Sequence, residues 1–296
     1  MDNIRINLYQ LMGHVGYGEL RIVDYTLDNA DLECQCPLDN GQRSAGSWYS
    51  VGQLDVLPPE IVTAILLTLD LPTLVAFRRV NRRAMSLVDS LHQYRMLLKH
   101  CPNVLRAIVS IRAKHFSCMT LYKVLASTKC DTCHRSGSYL YLITCKRVCY
   151  SCFTSHAKYL PMSKPLATKY TGLSRKKLKH IPYILSLPGR YTARGKISNR
   201  RTKLFDRQHV LDATPDAPIQ SYDGRIQEQD ITTREPRRYM SIISAPYFNS
   251  SGHLAEWGFH CDNCRSLTRS ATNMKNKFTT DGIIDHMKWH EAGTSI

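Results

Sequence analysis

At 296 residues with 43% hydrophobic content, the chain can form two small domains or one domain with appendages, and it holds enough apolar side chains for a core. Met1 to Leu20 mixes Asp2, Arg5, His14 and Glu19 among its apolar residues, and no eighteen-residue apolar run follows; neither a secretory leader nor a membrane-spanning helix is expected, and cytosol or nucleus is the default compartment. The formal charge of +16 sits in the middle: residues 51–210 hold 28 Lys and Arg against 6 Asp and Glu, while residues 1–50 hold 3 against 7. Such a balance attracts nucleic acid, anionic lipid or an acidic protein. Eleven cysteines without a leader read as metal ligands or buried thiols rather than disulfides.

Residues 1–50 contain Gly13, Gly16 and Gly18, the alternating run LRIVDY, and Cys34 and Cys36 as a CxC pair with no evident partners. They read as irregular β structure ending in a turn. Residues 53–100 then carry three short helical patterns. Pro58 and Pro59 suit a first helical turn, and Leu71 precedes Pro72, so a first helix is expected from about Pro58 to Leu69. Ile61, Val62, Ala64, Ile65, Leu66, Leu67 and Leu69 wrap nearly its whole circumference, the mark of a helix covered on all sides. Pro72 opens a second helix with Leu74, Val75, Phe77 and Val80, and Asn81 is placed to cap a third carrying Ala84, Leu87, Val88 and Leu91 at helical spacing. Three such helices bury too little of themselves to stand alone, so the surplus apolar face must meet either the rest of the chain or another protein.

The stretch LPPEIVTAILLTLDLPTLVAFRRVNRR resembles an F-box: Leu57, Pro58, Glu60, Ile61, Ile65, Leu66, Leu69, Leu74, Phe77, Val80 and Arg82 fall on its pattern. The Trp often found in the third helix of that family is replaced by Ala84 or Met85. The resemblance implies docking on the Skp adaptor of a cullin-RING ubiquitin ligase, with Leu57, Pro58, Ile61, Ile65, Leu69 and Leu74 as the contact residues. It also resembles fungal F-box proteins that carry a cysteine-rich segment directly downstream. Residues 101–129 read as a helical connector in which Cys101 and Cys118 are buried thiols.

Within 130–160, CDTCHRSGSYLYLITCKRVCYSC places Cys130 and Cys133, then fifteen residues, then Cys149 and Cys152. Two CxxC knuckles joined by a hairpin's length of β-forming residues are a zinc spacing. Cys145 is an extra thiol, either an exchangeable ligand or a small core residue; the two clean knuckles are preferred. Four thiolates on one dication leave about −2, for which Lys129, Arg135, Lys146 and Arg147 are the expected counter-charges. Residues 161–252 are basic (RKKLKH at 175–180) and proline-rich, and are expected to be loops with a few strands such as YMSII, with extensive disorder.

Residues 253–292 become compact again. Cys261, Cys264, His286 and His290 form a second zinc-type set, with the histidines at i and i+4 on a helix capped by Asp281. Phe259, Phe278 and Ile283 are similar to the packing positions of a two-Cys, two-His finger, although 21 residues separate Cys264 from His286 where that family has about 12. His260 is an alternative ligand. No Walker loop, carboxylate pair or nucleophile elbow is present, so an enzyme is the least supported class. The expectation is an α+β chain binding two structural zinc ions. Its expected role is that of a non-enzymatic adaptor recruiting an unidentified protein target to an SCF-type ligase. A zinc-dependent nucleic-acid-binding regulator is the alternative.

Overall fold

A computed structural model describes residues 24–29, 31–36, 38, 50–172, 174–192, 197–213, 235–249, 254–261, 276–280, 282–284 and 286. Gly13, Gly16 and Gly18, the first four residues of the LRIVDY run, the polar segment 214–234, Cys264, Asp281 and His290 lie outside the described residues. The architecture is mixed α+β, with a helical layer followed by small antiparallel sheets.

After a short α1 (Leu32–Gln35), the proline-bounded stretch folds as α2 (Pro59–Thr68) and α3 (Leu71–Arg78). Pro59 occupies the first helical turn, where its missing donor costs nothing. Leu71 was expected outside the helix as the residue before Pro72, yet it is the first residue of α3. Asp70 caps this helix, accepting from Thr73 N at 2.8 Å and from Thr73 Oγ1 at 2.8 Å, and Leu71 is itself fully buried. Asn81 caps α4 (Arg82–Ser90) through Ala84 N at 2.8 Å, as its position implied. Ala84 is completely buried, and Arg78 reaches from α3 to grip Asp89 on α4 through two bonds of 2.7 and 2.9 Å.

Helices α5 (His92–His100), α6 (Pro102–Ile111) and α7 (Cys118–Leu125) complete this layer. The central element is α6: Val104, Leu105, Ala107, Ile108 and Ile111 have no exposed surface, and the helix packs against α1, α3 and α5. The segment 101–129 therefore holds the helical layer together as well as connecting it. Cys118 N donates to Leu69 O at 2.9 Å, tying α7 to the end of α2. Cys101 and Cys118 are buried, and burial raises both thiols, Cys118 to about 12.

The chain continues through β1 (Tyr139–Tyr141), β2 (Lys146–Val148), α8 (Tyr150–Ser155), β3 (Met162–Ser163), α9 (Lys164–Thr171), α10 (Arg175–Leu178), β4 (Tyr183–Leu185), β5 (Lys203–Phe205), α11 (Arg207–Asp212), α12 (Pro236–Tyr239), β6 (Ile242–Ser244), β7 (Tyr247–Phe248) and β8 (Ala255–Glu256). The hairpin β1–β2 pairs Tyr139 with Val148, and β6 adds antiparallel to the other edge of β1, pairing Tyr139 with Ser244. Asp28 Oδ2 accepts from Ser244 N at 2.8 Å, so the residues before α1 also lean on this sheet. The second sheet, in the order β3–β5–β4, is carried by residues expected to be mostly loop. Its strands are two or three residues long, too short to show a period-two pattern. Met162, Ala167, Leu178, Ile181, Phe205 and Val210 form a core of their own beneath it.

One side chain joins the helical layer to the first sheet. Arg147 on β2 is 4% exposed and donates to four carbonyls: Val124 at 3.1 Å, Gly137 at 2.8 Å, Leu125 at 3.4 Å and Pro246 at 2.7 Å. Val124 and Leu125 are the last carbonyls of α7, where a cation is favoured by the helix dipole. Burial pulls the guanidinium down to about 10, which leaves it charged at neutral pH. Gly137 is obligatory beside it, because a Cβ there would lie 2.9 Å from Arg147 Cγ and 3.2 Å from the Cys130 backbone.

Arg147→Met removes the guanidinium donor from the Gly137, Leu125 and Pro246 carbonyls, while Val124 O keeps its bond from Ser127 N at 3.2 Å. It is expected to lower the free energy of unfolding by about 3 kcal/mol or more in urea denaturation of the metal-loaded protein, and a loss below about 1 kcal/mol would contradict the role assigned to it.

Candidate adaptor surface and candidate metal centre

The helix α2 is two-faced in its surroundings although not in its composition. Val62, Leu66 and Leu67 face the interior. Ile61 and Ile65, one turn apart on α2, do not: they are 49% and 37% exposed, and Leu57, in extended backbone just before the helix, is 37% exposed. The expectation of a helix enclosed on all sides thus gives way to one whose outer side is open. Pro58 is exposed beside Leu57, whereas Leu74 has no exposed surface and supports α3 from within. Two apolar residues outside the expected contact set extend the exposure, Val56 at 83% and Val80 at 67%. Val56 directly precedes the Leu-Pro start and lies in no helical period, so periodicity did not flag it.

The turn that presents Val56 and Leu57, Gly52–Val56, is clamped to α4. Asp55 Oδ1 accepts from Arg83 Nε at 2.9 Å, Asp55 Oδ2 accepts from Val51 N at 2.9 Å, and Asn81 Nδ2 donates to Ser50 O at 3.0 Å. The Val51 N–H and the Arg83 guanidinium hold the Asp55 carboxyl below the usual carboxylate range. Spacing gave no signal for this clamp, since its partners are 28 and 31 residues apart.

The metal-type constellation assembles as its spacing implied. The sulfurs of Cys130, Cys133, Cys149 and Cys152 all lie within 4.8 Å of one another. Tetrahedral zinc with Zn–S of about 2.3 Å needs its thiolates about 3.8 Å apart, and Cys133 and Cys149 stand at 3.7 Å. The first knuckle is built by Cys130 N bonding Arg135 O at 2.7 Å and His134 N bonding Cys130 O at 3.0 Å, with His134 in the left-handed region at φ 57. The second is the start of α8, whose N-cap is Cys149, the thiol accepting from Cys152 N at 3.4 Å. Thr132 N likewise donates to Cys130 Sγ at 3.4 Å. Amide donors aimed at sulfur favour the thiolate form that binds metal.

The thiols share charge unequally. A hydrogen bond from Cys149, aided by the Cys133 and Thr132 amides, pushes Cys130 down to about 4, whereas the same shared proton raises Cys149 and burial raises Cys152 to about 12. A dication bound here would displace the remaining protons. Cys145 stands apart, a buried thiol at φ 54 in the β1–β2 turn, raised to about 12 by desolvation, and so takes the core-residue alternative. Two of the expected counter-charges are otherwise engaged. Arg147 turns inward to carbonyls, and Lys146 pairs with Asp131 at 3.2 Å, as does Lys158 at 3.5 Å. Tyr159, whose hydroxyl meets Thr132 Oγ1 at 2.6 Å, closes the other flank.

Of the second zinc-type set, Cys261 and His286 fall within the described residues. Cys261 is buried with Ile283, Phe259 and Phe278 bridge through paired backbone bonds of 2.8 and 2.9 Å, and His286 stacks on Phe278 at 4.2 Å. Among the described residues no other group of three or more metal-type side chains converges as the four cysteines do.

Residues 54–96 match the family model of the F-box domain. No curated protein and no solved structure matches the chain. Among the described residues no helix is long and apolar enough to cross a membrane.

Cys149→Ser is expected to remove one zinc per chain in elemental analysis of the purified protein, whereas Cys145→Ser retains the wild-type content. Metal loss in the second variant, or none in the first, would contradict the ligand assignment.

Proposed function

We propose that this chain, whose residues 54–96 are an F-box domain, is a substrate-recruiting adaptor of an SCF-type cullin-RING ubiquitin ligase and performs no covalent chemistry itself. The observation that carries the reading is the apolar set Leu57, Ile61 and Ile65, left exposed within the matched domain while the opposite side of α2 is buried. The Skp adaptor covers those side chains together with Pro58 and the margin of Leu69, and Leu74 acts beneath them by holding α3 in place. Val56 and Val80 enlarge the same contact. Full burial of such side chains is worth about 1.5–3 kcal/mol each relative to exposure, before the costs of association.

The four-cysteine centre binds structural zinc and shapes the part of the molecule that faces the target. A second zinc is held by Cys261, Cys264, His286 and His290, for a total of two per chain. Support for the first site is the convergence of its sulfurs, and for the second the packing of Cys261, Phe259, Phe278 and Ile283.

Capture of the full chain by the purified Skp adaptor tests the reading. Leu57→Asp with Ile61→Asp is expected to abolish capture while leaving the unfolding temperature within a few degrees of wild type, because both side chains are already exposed. Undiminished capture by the double variant would overturn the proposal.

A further inference from the structure

The strands β4 and β5 are the base of a longer antiparallel arm. Beyond Leu185 the ladder continues through Ser186 N to Thr202 O at 2.9 Å and through a reciprocal pair of bonds between Gly189 and Ser198 at 2.9 and 2.8 Å. One side of the arm is core, since Ile184, Leu187, Tyr191 and Leu204 are at most 3% exposed. The charge it leaves in solvent has one sign: Arg190, Arg200, Arg201 and Lys203 are exposed, and the described residues of the arm include no Asp or Glu.

The arm meets the end of α6. Arg201 Nε donates to Ser186 O at 3.2 Å within the arm, and its Nη2 donates to Ser110 O on α6. This brings it within electrostatic reach of Arg112, the exposed residue that closes α6 in left-handed backbone at φ 55, with exposed Lys114 two residues further on. Partial burial, and then repulsion from Arg112, lower the Arg201 guanidinium from its ordinary value. Like charges held side by side are unfavourable in the free protein, and a polyanion laid across them relieves the repulsion. The carboxylates nearest this face are committed elsewhere. Asp70 caps α3 through Thr73, and buried Asp206 accepts from Tyr141 Oη at 2.9 Å and from His209 Nδ1 at 2.6 Å.

We propose that this face, made by the arm and the turn between α6 and α7, binds the phosphate backbone of a nucleic-acid duplex. The inference is independent of the adaptor reading. A two-stranded ribbon is one of the elements that a duplex groove admits, and four of the cations are arginines, whose planar fork matches phosphate oxygens. Contacts of this kind position a protein on a duplex without reading its sequence. A single strand fits less well, because its tracking relies on exposed aromatic platforms. The Tyr183 ring at the base of the arm is already covered, with Lys203 Nζ 4.4 Å from its centroid and the His115 ring edge-on at 5.8 Å. An anionic bilayer calls for a broad apolar side next to the cations, and the described arm exposes one large apolar residue, Ile197.

Fluorescence anisotropy on the full, metal-loaded chain tests this, with a short DNA duplex, one of its strands alone, and vesicles of phosphatidylserine and phosphatidylcholine as probes. Duplex affinity is expected to fall about 10²–10³-fold between about 50 and 200 mM salt, as about four or five phosphate contacts require. Arg112→Gln with Arg200→Gln and Lys203→Gln should weaken duplex binding at least about tenfold at fixed salt and reduce the salt slope by about three. Arg190→Gln alone should weaken it about threefold and reduce the slope by about one, so the assignment does not hang on the folding of the triple variant. Lys164→Gln with Lys169→Gln removes two exposed charges from α9 and should leave affinity within about twofold of wild type. Duplex binding that ignores salt or is undiminished in the arm variants would overturn the proposal. So would an equal loss in the α9 variant, which would make the attraction one of net charge, or tighter binding of the single strand or the vesicles.

Discussion

The guanidinium of Arg147 is the constraint on which the arrangement depends. A cation taken out of water is costly unless its donors are satisfied, and here it satisfies carbonyls from the end of α7, from the loop after the first knuckle and from the turn between β6 and β7. Those three segments are distant in sequence, and one planar, forked donor fixes them against each other in a way that a lysine, with a point charge on a flexible stem, does not reproduce. The residue sits two positions before Cys149, so the cysteine centre and the helical layer share a strand. A metal held by the four cysteines would therefore brace the same hairpin that Arg147 does.

From this follows the asymmetry of α2. Its inner side is held by α7, which is itself held by Arg147, and by the bond from Cys118 N to Leu69 O. With the inner side committed, Ile61 and Ile65 stay 49% and 37% exposed among the described residues. Scattered exposed leucines and valines are ordinary on protein surfaces. Here Val56, Leu57 and Pro58 precede α2 on a turn clamped through Asp55 and Arg83, close in sequence to the exposed Ile61 and Ile65, which supports the adaptor contact proposed above.

Much of this was legible in the residues. The helix boundaries near Pro59 and Asn81, the F-box pattern and the two knuckles all rest on local chemistry: a missing donor, a capping side chain, paired thiols three apart. What sequence did not disclose is long-range. Composition made α2 look apolar all round, but only packing decides which of its sides is enclosed. Arg147 read as a counter-charge to thiolates because charge is visible in a sequence and carbonyl partners are not. Leu74 read as a contact because it falls on a family pattern, although its side chain faces the core. The second sheet was missed for a different reason, since two- and three-residue strands offer no period to detect, and β6 joins β1 from about a hundred residues away.

The central claim is that the outer side of α2 is open in the free protein and closed by a foreign subunit. Amide hydrogen exchange on the full chain, alone and saturated with purified Skp adaptor, measures this most directly. Slowed exchange confined to residues 50–69 and to the corner around Val80, with the cysteine hairpin unchanged, is the result the proposed contact predicts. Exchange in those segments that is already slow in the free chain, or that the adaptor leaves untouched, would contradict it.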